Sequence, residues 1–239
     1  MTDPRIWNVY AGQEFLTPGA REMIDIIGRS VPLDAAARVL EVAYGTGVGA
    51  CRVAERHGCR VLGVDTHPFA VHVARRASER GLGDRVAFAI GDGGRLPVRD
   101  AAFDLAICVG APSIIGTERC HGEMHRALRP GGAVAVSDWV WARKPIPPAA
   151  IPDGYDIEPL TLDEYRAAMR GAGFEVALAD PFPQSAWDEY YAPLRRTVAD
   201  LRARHPEDAP QQIEDELRVY DSGLAKEYWR YVAFAGHKR

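Results

Sequence analysis

Short apolar segments alternate with amphipathic segments along about the first 140 residues of this chain. The apolar segments are rich in valine, isoleucine and leucine, as β-strands are, and the amphipathic ones have helical spacing. Strand–helix units of this length pair in parallel through right-handed crossovers. We therefore predict an α/β fold with a doubly wound, Rossmann-like sheet. Its strands are predicted at residues 38–43, 60–64, 85–90, 103–109 and 133–137, and its helices at 48–57, 68–80 and 118–128.

The pattern changes after residue 138. A proline-rich stretch at 143–148 is incompatible with a helix or a central strand. This stretch is followed by a predicted helix at 162–171, a strand at 174–178 and a final strand at 229–236. The number of predicted strands is then seven. Between the last two strands lies a long polar segment rich in aromatic residues, and WDEYYAPLRRTVADL within it has the spacing of a helix.

Charge and composition exclude several classes of protein. The 239 residues include 29 basic and 33 acidic side chains, spread along the chain, and the net charge is −4. Nucleic-acid binding needs a concentrated basic face, so we expect none. No apolar run approaches the length of a membrane span and the N-terminus lacks a signal pattern, so we expect a cytoplasmic protein without membrane insertion.

No metal site is predicted. The four cysteines, Cys51, Cys59, Cys108 and Cys120, do not have the paired spacing of zinc ligands. His121 and His125 are four residues apart on a predicted helix, which is a spacing that metal ligands use. An exposed helix face is the interpretation we favour for these two histidines.

A glycine-rich turn follows the first strand. Gly45-Thr46-Gly47-Val48-Gly49-Ala50 joins that strand to a helix, and Asp65 ends the next strand about twenty residues later. Glycines let the backbone approach a ligand at a helix N-terminus, and the acid can accept hydrogen bonds from ribose hydroxyls. The spacing also satisfies G-x-G-x-x-A, so a nicotinamide or flavin enzyme is an alternative.

Three features favour a different cofactor. Glu41 lies inside the strand, four residues before Gly45, where a dinucleotide fingerprint has no use for an acid. Asp92 follows the third strand, between Gly91 and Gly93, where a carboxylate can accept a bond from an adenine amino group. The C-terminal part supplies two more strands and an insertion rather than a separate substrate domain.

Several of these segments resemble the class I S-adenosylmethionine (SAM)-dependent methyltransferases. VLEVAYGTGVG resembles their SAM-binding motif, and GVDTHP resembles the second motif. GDGGRLPVRDAAFDLAICV resembles the third and fourth motifs of the small-molecule branch that acts on ubiquinone and menaquinone precursors. EMHRALRPGGAVAVSDW resembles the helix, loop and fifth strand that follow, and YVAFAGHKR suits the family's last, antiparallel strand.

The resemblance implies a function and a domain organisation. It implies a methyltransferase that uses SAM and acts on a small-molecule acceptor; an NAD(P)-dependent oxidoreductase and a non-catalytic SAM-binding protein are the alternatives. It implies one domain over residues 1–239, with a seven-stranded, mostly parallel sheet, an antiparallel C-terminal strand and an α-helical insertion before it. Within that domain we expect an N-terminal helical cover at 1–30, a SAM-binding core at 31–139 and a substrate-side half at 140–239, with the insertion at about 185–226.

The resemblance also implies two groups of site residues. The cofactor contacts would be Tyr10, in an N-terminal segment that folds over SAM, and Glu41, Ala43, Gly45, Gly47, Asp65, Thr66, Asp92, Gly93 and Val109. Because ligands bind beyond the carboxyl ends of such strands, the acceptor would face Ser113, Trp139, Trp141, Trp187 and Tyr191.

Two of these assignments have alternatives. Asp138 is the candidate general base, or else a strand-end carboxylate that caps a loop. For the aromatic residues of the insertion, the interpretation we favour is packing on the core. The alternatives are a lid over the acceptor or contact with a second subunit in a homodimer.

The sequence departs from the family's pattern at two adjacent positions. Ala43 stands where the family commonly has glycine, and Tyr44 stands where it has cysteine or a small residue. An alanine is tolerated there if its φ is negative and is strained if its φ is positive. Tyr44 is expected either to edge the cofactor pocket or to pack under the loop.

Overall fold

Seven strands form one sheet in the computed structural model, which describes residues 9–10, 13–67, 70–153 and 159–239. The strand order is β3-β2-β1-β4-β5-β7-β6; β1 to β5 pair in parallel, and β7 is antiparallel to both of its neighbours. The predicted fold class is confirmed. The strands are β1 (Arg38–Val42), β2 (Arg60–Asp65), β3 (Val86–Ile90), β4 (Phe103–Val109), β5 (Leu128–Trp141), β6 (Phe174–Pro181) and β7 (Trp229–Lys238).

Helices cover both faces of the sheet. Side chains alternate along a strand, so Val39 of β1 packs on one face while Leu40 and Val42 pack on the other. Helices α1 and α2 cover the first face, and α5 and α6 cover the second. The helices are α1 (Ala20–Ser30), α2 (Val48–His57), α3 (Ala70–Glu79), α4 (Pro112–Ile115), α5 (Thr117–Ala127), α6 (Leu162–Gly171), α7 (Gln184–Arg204), α8 (Gln211–Asp221) and α9 (Leu224–Tyr228).

Strand β5 is longer than predicted at both ends. Leu128 pairs with Phe103 and Ala133 pairs with Leu105, so an irregularity in the β4–β5 pairing takes up residues 129–132. The proline and glycines there were expected to end the helix before the strand began. Beyond residue 137, β5 continues to Trp141 because β7 pairs with it as far as Trp229.

The insertion before β7 is helical, as predicted for its first part. It forms α7, α8 and α9, and α7 alone runs for 21 residues with Pro193 in its interior. Their apolar residues meet the ends of β5 and β7 in a third cluster, which is rich in tryptophan and tyrosine. Within the ranges described, no helix is both long enough and apolar enough to cross a bilayer.

Candidate cofactor site

A cavity of about 350 Å³ lies beyond the carboxyl ends of β1, β2 and β4. The chain leaves β1 toward β2 on one side and returns to β4 on the other, so the cavity occupies the point where the strand order reverses. This is where doubly wound sheets bind ligands. Its volume falls within the range of roughly 300–1,000 Å³ that is usual for small-molecule sites.

The loop after β1 contains three residues with positive φ, of which Ala43 and Gly45 lie in the cavity wall. Ala43, Gly45 and Gly47 have φ values of 57°, 52° and 71°. The turn closes with a hydrogen bond from the Gly47 amide to the Tyr44 carbonyl at 2.8 Å. Ala43 is therefore strained, because its Cβ disfavours a left-handed conformation by about 1–2 kcal/mol.

Tyr44 packs beneath this loop and also contributes to the cavity wall. Its ring meets Phe88 edge-on, with centroids 4.8 Å apart, and Gly63 leaves room for both rings. Burial, together with the nearby Asp65, raises the pKa of Tyr44 to about 12. The phenol is thus neutral at physiological pH.

Two carboxylates reach the cavity, and they differ in their partners. Asp65 joins two loops, since one oxygen accepts the Gly45 amide at 2.9 Å and the other accepts the His67 amide at 3.0 Å. Each oxygen retains a lone pair for a ligand hydroxyl. Glu41 is 6% exposed, and its Oε2 has no hydrogen-bond partner among the described residues. Burial raises the pKa of Glu41 to about 8.

The acidic groups of the wall favour a cation: Asp65 is a carboxylate, and Glu41, which its raised pKa leaves largely protonated near pH 7, would ionise beside a cationic ligand. Glu41 and Asp65 line the cavity, whereas no lysine or arginine does so in the part of the chain that the structure describes. His67 also lines it, and burial lowers the pKa of that imidazole, which keeps it neutral near pH 7. A positively charged ligand is attracted to such a wall, and a pyrophosphate is repelled by it.

The N-terminal segment 13–19 forms the roof. The Thr46 hydroxyl donates to the Glu14 carbonyl oxygen at 2.7 Å, and Arg52 of α2 pairs with the Glu14 carboxylate. Leu16 lies over Gly45, and Thr17 lies so close to Gly110 that a Cβ there would be 2.5 Å from its hydroxyl. Residue patterns do not reveal this roof, since Pro18 and Gly19 mark only the start of a helix.

The structure brings most of the predicted cofactor residues together. The wall of the cavity contains Tyr10, Glu41, Ala43, Gly45, Asp65, Thr66 and Val109. Residues 1–8 of the N-terminal cover that was expected over the cofactor lie outside the described residues.

Three predicted cofactor residues are not part of the wall. Gly47 faces Val73 and Phe88 beneath the loop. Asp92 accepts the Gly94 amide at 2.8 Å and pairs with Arg119 at 3.2 Å. Gly93 is covered by Ile115, which itself lines the cavity.

Asp138 caps the loop that follows β4. Its oxygens accept the Ser113 amide and hydroxyl, each at 2.8 Å, and the Trp139 amide at 2.9 Å. Burial raises the pKa of Asp138 to about 6, while these hydrogen bonds and one from Tyr165 oppose the rise. The geometry is that of the loop-capping alternative, with every oxygen engaged by the protein.

His121 lies behind this carboxylate and not on an exposed helix face. The expectation of exposure is wrong, because the side chain is fully buried and its Nε2 is 3.3 Å from the Tyr165 hydroxyl. Burial lowers the pKa of His121 to about 4. The imidazole is therefore neutral, as a buried group of the core should be.

The predicted substrate-side aromatics pack with one another instead of lining the cavity. Trp139 contacts Trp141 and Trp229, in each case with centroids 4.9 Å apart. Tyr191 stacks on Tyr220 at 3.9 Å. Trp187 is 6% exposed and joins the same cluster. This arrangement fits the core-packing interpretation, and substrate contact by these residues remains a prediction.

Comparison with known proteins gives a consistent result. The family model described as "Methyltransferase domain" matches residues 39–132. The chain is 30% identical to the 27-O-demethylrifamycin SV methyltransferase of Amycolatopsis mediterranei, over 83% of this chain and 74% of that one. It is also 30% identical to the sterol 24-C-methyltransferase of Eremothecium gossypii, over 80% of this chain, but spans only 56% of that protein.

A solved structure resembles almost the whole chain. The SAM-dependent methyltransferase of Geobacter sulfurreducens, crystallised with S-adenosyl-L-homocysteine (SAH), aligns with a TM-score of 0.82 and 27% identity. The alignment covers 99% of this chain and 98% of that one.

Proposed function

We propose that this chain transfers a methyl group from SAM to a small organic molecule. The chain belongs to the class I SAM-dependent methyltransferases, and the acceptor class is the proposal. The acidic, roofed cavity at the switch point of the sheet is the observation that carries this proposal. It accounts for the cofactor and also limits the size of the acceptor.

The residues present fit SAM. The glycines after β1 let the backbone approach a ligand closely, and the unpartnered oxygen of Glu41 suits the ammonium group of the methionine part. Asp65 is placed to accept ribose hydroxyls with its remaining lone pairs. The dinucleotide alternative would place a pyrophosphate beside Glu41 and Asp65, without a lysine or arginine from the described wall.

When bound, the cofactor supplies a methyl group on a positively charged sulfonium, which is already a good leaving group. The protein's own contribution is then to position the two reactants and to exclude water. The roof, with Leu16 over Gly45 and Thr17 against Gly110, serves that exclusion.

A general base is needed only for an acceptor that arrives protonated. The oxygens of Asp138 are already occupied by Ser113 and Trp139. We therefore assign Asp138 to positioning the loop after β4 and leave its use as a base as the alternative.

The roof and the size of the cavity support a small acceptor. A polymer strand could not reach Glu41 without displacing the segment that Thr46 and Arg52 hold in place. Two relatives are named for acceptors of this class, a rifamycin and a sterol. The single sheet, which contains strands from both halves of the chain, supports our further proposal that residues 1–239 form one domain.

Calorimetric titration with SAH and with NADH tests the cofactor. SAH should bind and NADH should not. Gly45→Ala and Gly81→Ala make a matched pair, because both glycines have positive φ, but only Gly45 lies in the cavity wall, under Leu16. Gly45→Ala should weaken SAH binding, and Gly81→Ala should not.

Transfer of a radioactive methyl group from SAM tests the acceptor class. The protein is incubated with labelled SAM and a cell extract, and the products are separated by size. Label in the small-molecule fraction supports the proposal; label confined to protein or nucleic acid contradicts it. Failure of SAH to bind at millimolar concentration would overturn the whole assignment.

A further inference from the structure

Three arginines lie side by side at the amino ends of β1, β2 and β3, at the end of the sheet opposite the cofactor cavity. Arg38 pairs with Arg60 in the register of β1 and β2. Arg85 directly precedes β3 and lies beside Arg60, since the next residues along these two strands are partners. Neighbouring strands are about 4.8 Å apart and side chains alternate along a strand, so the three side chains share one face. We call Arg38, Arg60 and Arg85 the arginine row.

A groove of about 240 Å³ is lined by all three members of the arginine row. Leu62 and Phe103 also line it, and both belong to the apolar cluster on this face of the sheet. Phe103 is buried, and the guanidinium of Arg38 lies over its ring, 5.7 Å from the centroid. The groove therefore combines exposed cationic groups with an apolar floor.

The charges of this groove are not balanced by the protein. Within the described ranges no acid forms an ion pair with the arginine row, and Asp84 is the acid that lines the groove. The nearby Asp104 is already engaged, because one oxygen pairs with Arg129 at 2.5 Å and the other accepts the backbone amide of Arg38 at 2.8 Å. Like charges on neighbouring strands repel one another, so the row costs stability unless an anion binds there.

The chemistry of the row suits a phosphorylated molecule. A guanidinium group donates two parallel hydrogen bonds to a phosphate, and it remains charged at any physiological pH. Two strand spacings place the outer members of the row about 10 Å apart at their Cα atoms, which suits two linked phosphates better than one. The net charge of −4 opposes a long polyanion such as a nucleic acid, whereas a short anion meets only the groove.

We propose that the arginine row is a binding site for a small molecule that carries a diphosphate group. Arg60 lies in the middle of the row, so a diphosphate held by Arg60 also reaches one of its neighbours. The proposal is independent of the methyltransferase assignment, because the groove and the cofactor cavity have no lining residue in common in the described part of the chain.

Calorimetric titrations with pyrophosphate, orthophosphate and ADP test the ligand class. The protein is first saturated with SAH, so that the nucleotide cannot enter the cofactor cavity. Pyrophosphate should bind about tenfold more tightly than orthophosphate, because it engages two guanidinium groups at once. If ADP binds at least as tightly as pyrophosphate, the diphosphate belongs to a nucleotide; if ADP binds more weakly, free diphosphate is the ligand. The two inorganic titrations are repeated without SAH, so the test does not depend on the cofactor.

Two arginine variants make the test specific. Arg60→Gln removes the central charge and should weaken pyrophosphate binding about tenfold. Arg196→Gln is the matched control, because Arg196 is an exposed arginine of α7 that forms no ion pair with any described residue. It lowers the net charge equally and should leave the affinity for pyrophosphate within about twofold. Both variants should bind SAH as the wild type does, and thermal unfolding verifies that both are folded.

Three results would overturn the site. Pyrophosphate could bind no more tightly than orthophosphate, which would leave the row as a solvated charged face. Arg60→Gln and Arg196→Gln could have equal affinities for pyrophosphate, which would mean that the anion binds elsewhere. A DNA duplex could displace pyrophosphate more effectively than ADP does, and the row would then belong to a nucleic-acid surface.

Discussion

Glu41 in β1 and Asp138 in β5 are both buried acids on strands that flank β4, yet their surroundings differ. Burial raises the pKa of both, to about 8 and about 6. Asp138 receives hydrogen bonds from two backbone amides and a hydroxyl, whereas Oε2 of Glu41 has no partner among the described residues. We therefore assign Asp138, which lies outside the cavity wall with its oxygens engaged by the protein, to stabilising the fold, and Glu41, whose Oε2 is unpartnered beside the cavity, to a ligand.

Removal of the Asp138 carboxylate should have the largest effect on stability. Asp138→Ala leaves the Ser113 and Trp139 amides and the Tyr165 hydroxyl without their acceptor in a buried place. We expect the free energy of unfolding in urea to fall by about 3 kcal/mol. Asp84→Ala, at an exposed aspartate, is the control and should change it little. A loss below about 1 kcal/mol for Asp138→Ala would contradict the capping role.

The corresponding change at Glu41 should act on binding instead. Glu41→Gln keeps the shape of the side chain and removes the carboxylate that we expect to form at Glu41 when the cofactor's ammonium group binds beside it. The loss of a charge-assisted hydrogen bond is worth about 2 kcal/mol, which is a roughly thirtyfold weaker affinity for SAH by calorimetry. Asp138→Asn should leave that affinity within about twofold, a change of less than 0.5 kcal/mol on the same scale. The reverse order of effects would show that the roles of the two acids are exchanged.

The pH dependence of stability should separate the two acids a second time. A carboxyl with a raised pKa holds more protons in the folded state than in the unfolded state, so stability falls as pH rises between the two pKa values. For Asp138 that fall ends near pH 6, whereas for Glu41 it continues to about pH 8. Histidines with lowered pKa values, such as His67 and His121, add a slope of opposite sign near pH 6.5 in the wild type and the variant alike. The difference in slope between the wild type and Glu41→Gln from pH 6.5 to 8 therefore reports Glu41 and is at most about 1.4 kcal/mol per pH unit. Urea unfolding should show a more positive slope for Glu41→Gln than for the wild type; equal slopes would mean that Glu41 does not have the raised pKa.

The sequence predicted what depends on local patterns. Strand β4 and helix α2 begin and end at the residues expected, because their apolar spacing and flanking glycines are adjacent in the chain. Long-range contacts escaped prediction. Nothing near Thr17 announces that it lies against Gly110, and nothing near Gly93 shows that Ile115 covers it.

The same limit separates Glu41 from Asp138. The sequence places Glu41 inside one predicted strand and Asp138 just after another, but which of the two acids is satisfied by hydrogen bonds depends on distant partners. Ser113 approaches Asp138 from a neighbouring strand's loop, 25 residues away in the chain. A pattern of residue types does not record whether such a donor arrives.

The smallest expected effect concerns Ala43, two residues after Glu41, and it tests whether the end of β1 is strained for its ligand. Ala43 and Ala101 are the described non-glycine residues with positive φ, at 57° and 50°. Replacement of either by glycine should raise the free energy of unfolding by about 1 kcal/mol, since glycine adopts this conformation freely. Ala101 is exposed and lies outside the cofactor cavity, so Ala101→Gly is a matched control for the backbone effect alone.

SAH affinity should stay within about twofold in Ala43→Gly, because the hydrogen bonds from Gly45 to Asp65 and from Gly47 to Tyr44 still fix the loop. A different outcome is that Ala101→Gly is stabilised and Ala43→Gly is not. The packing of Tyr44 on Phe88 would then compensate the backbone strain at Ala43, and Tyr44 would be the residue that sets the conformation of the loop.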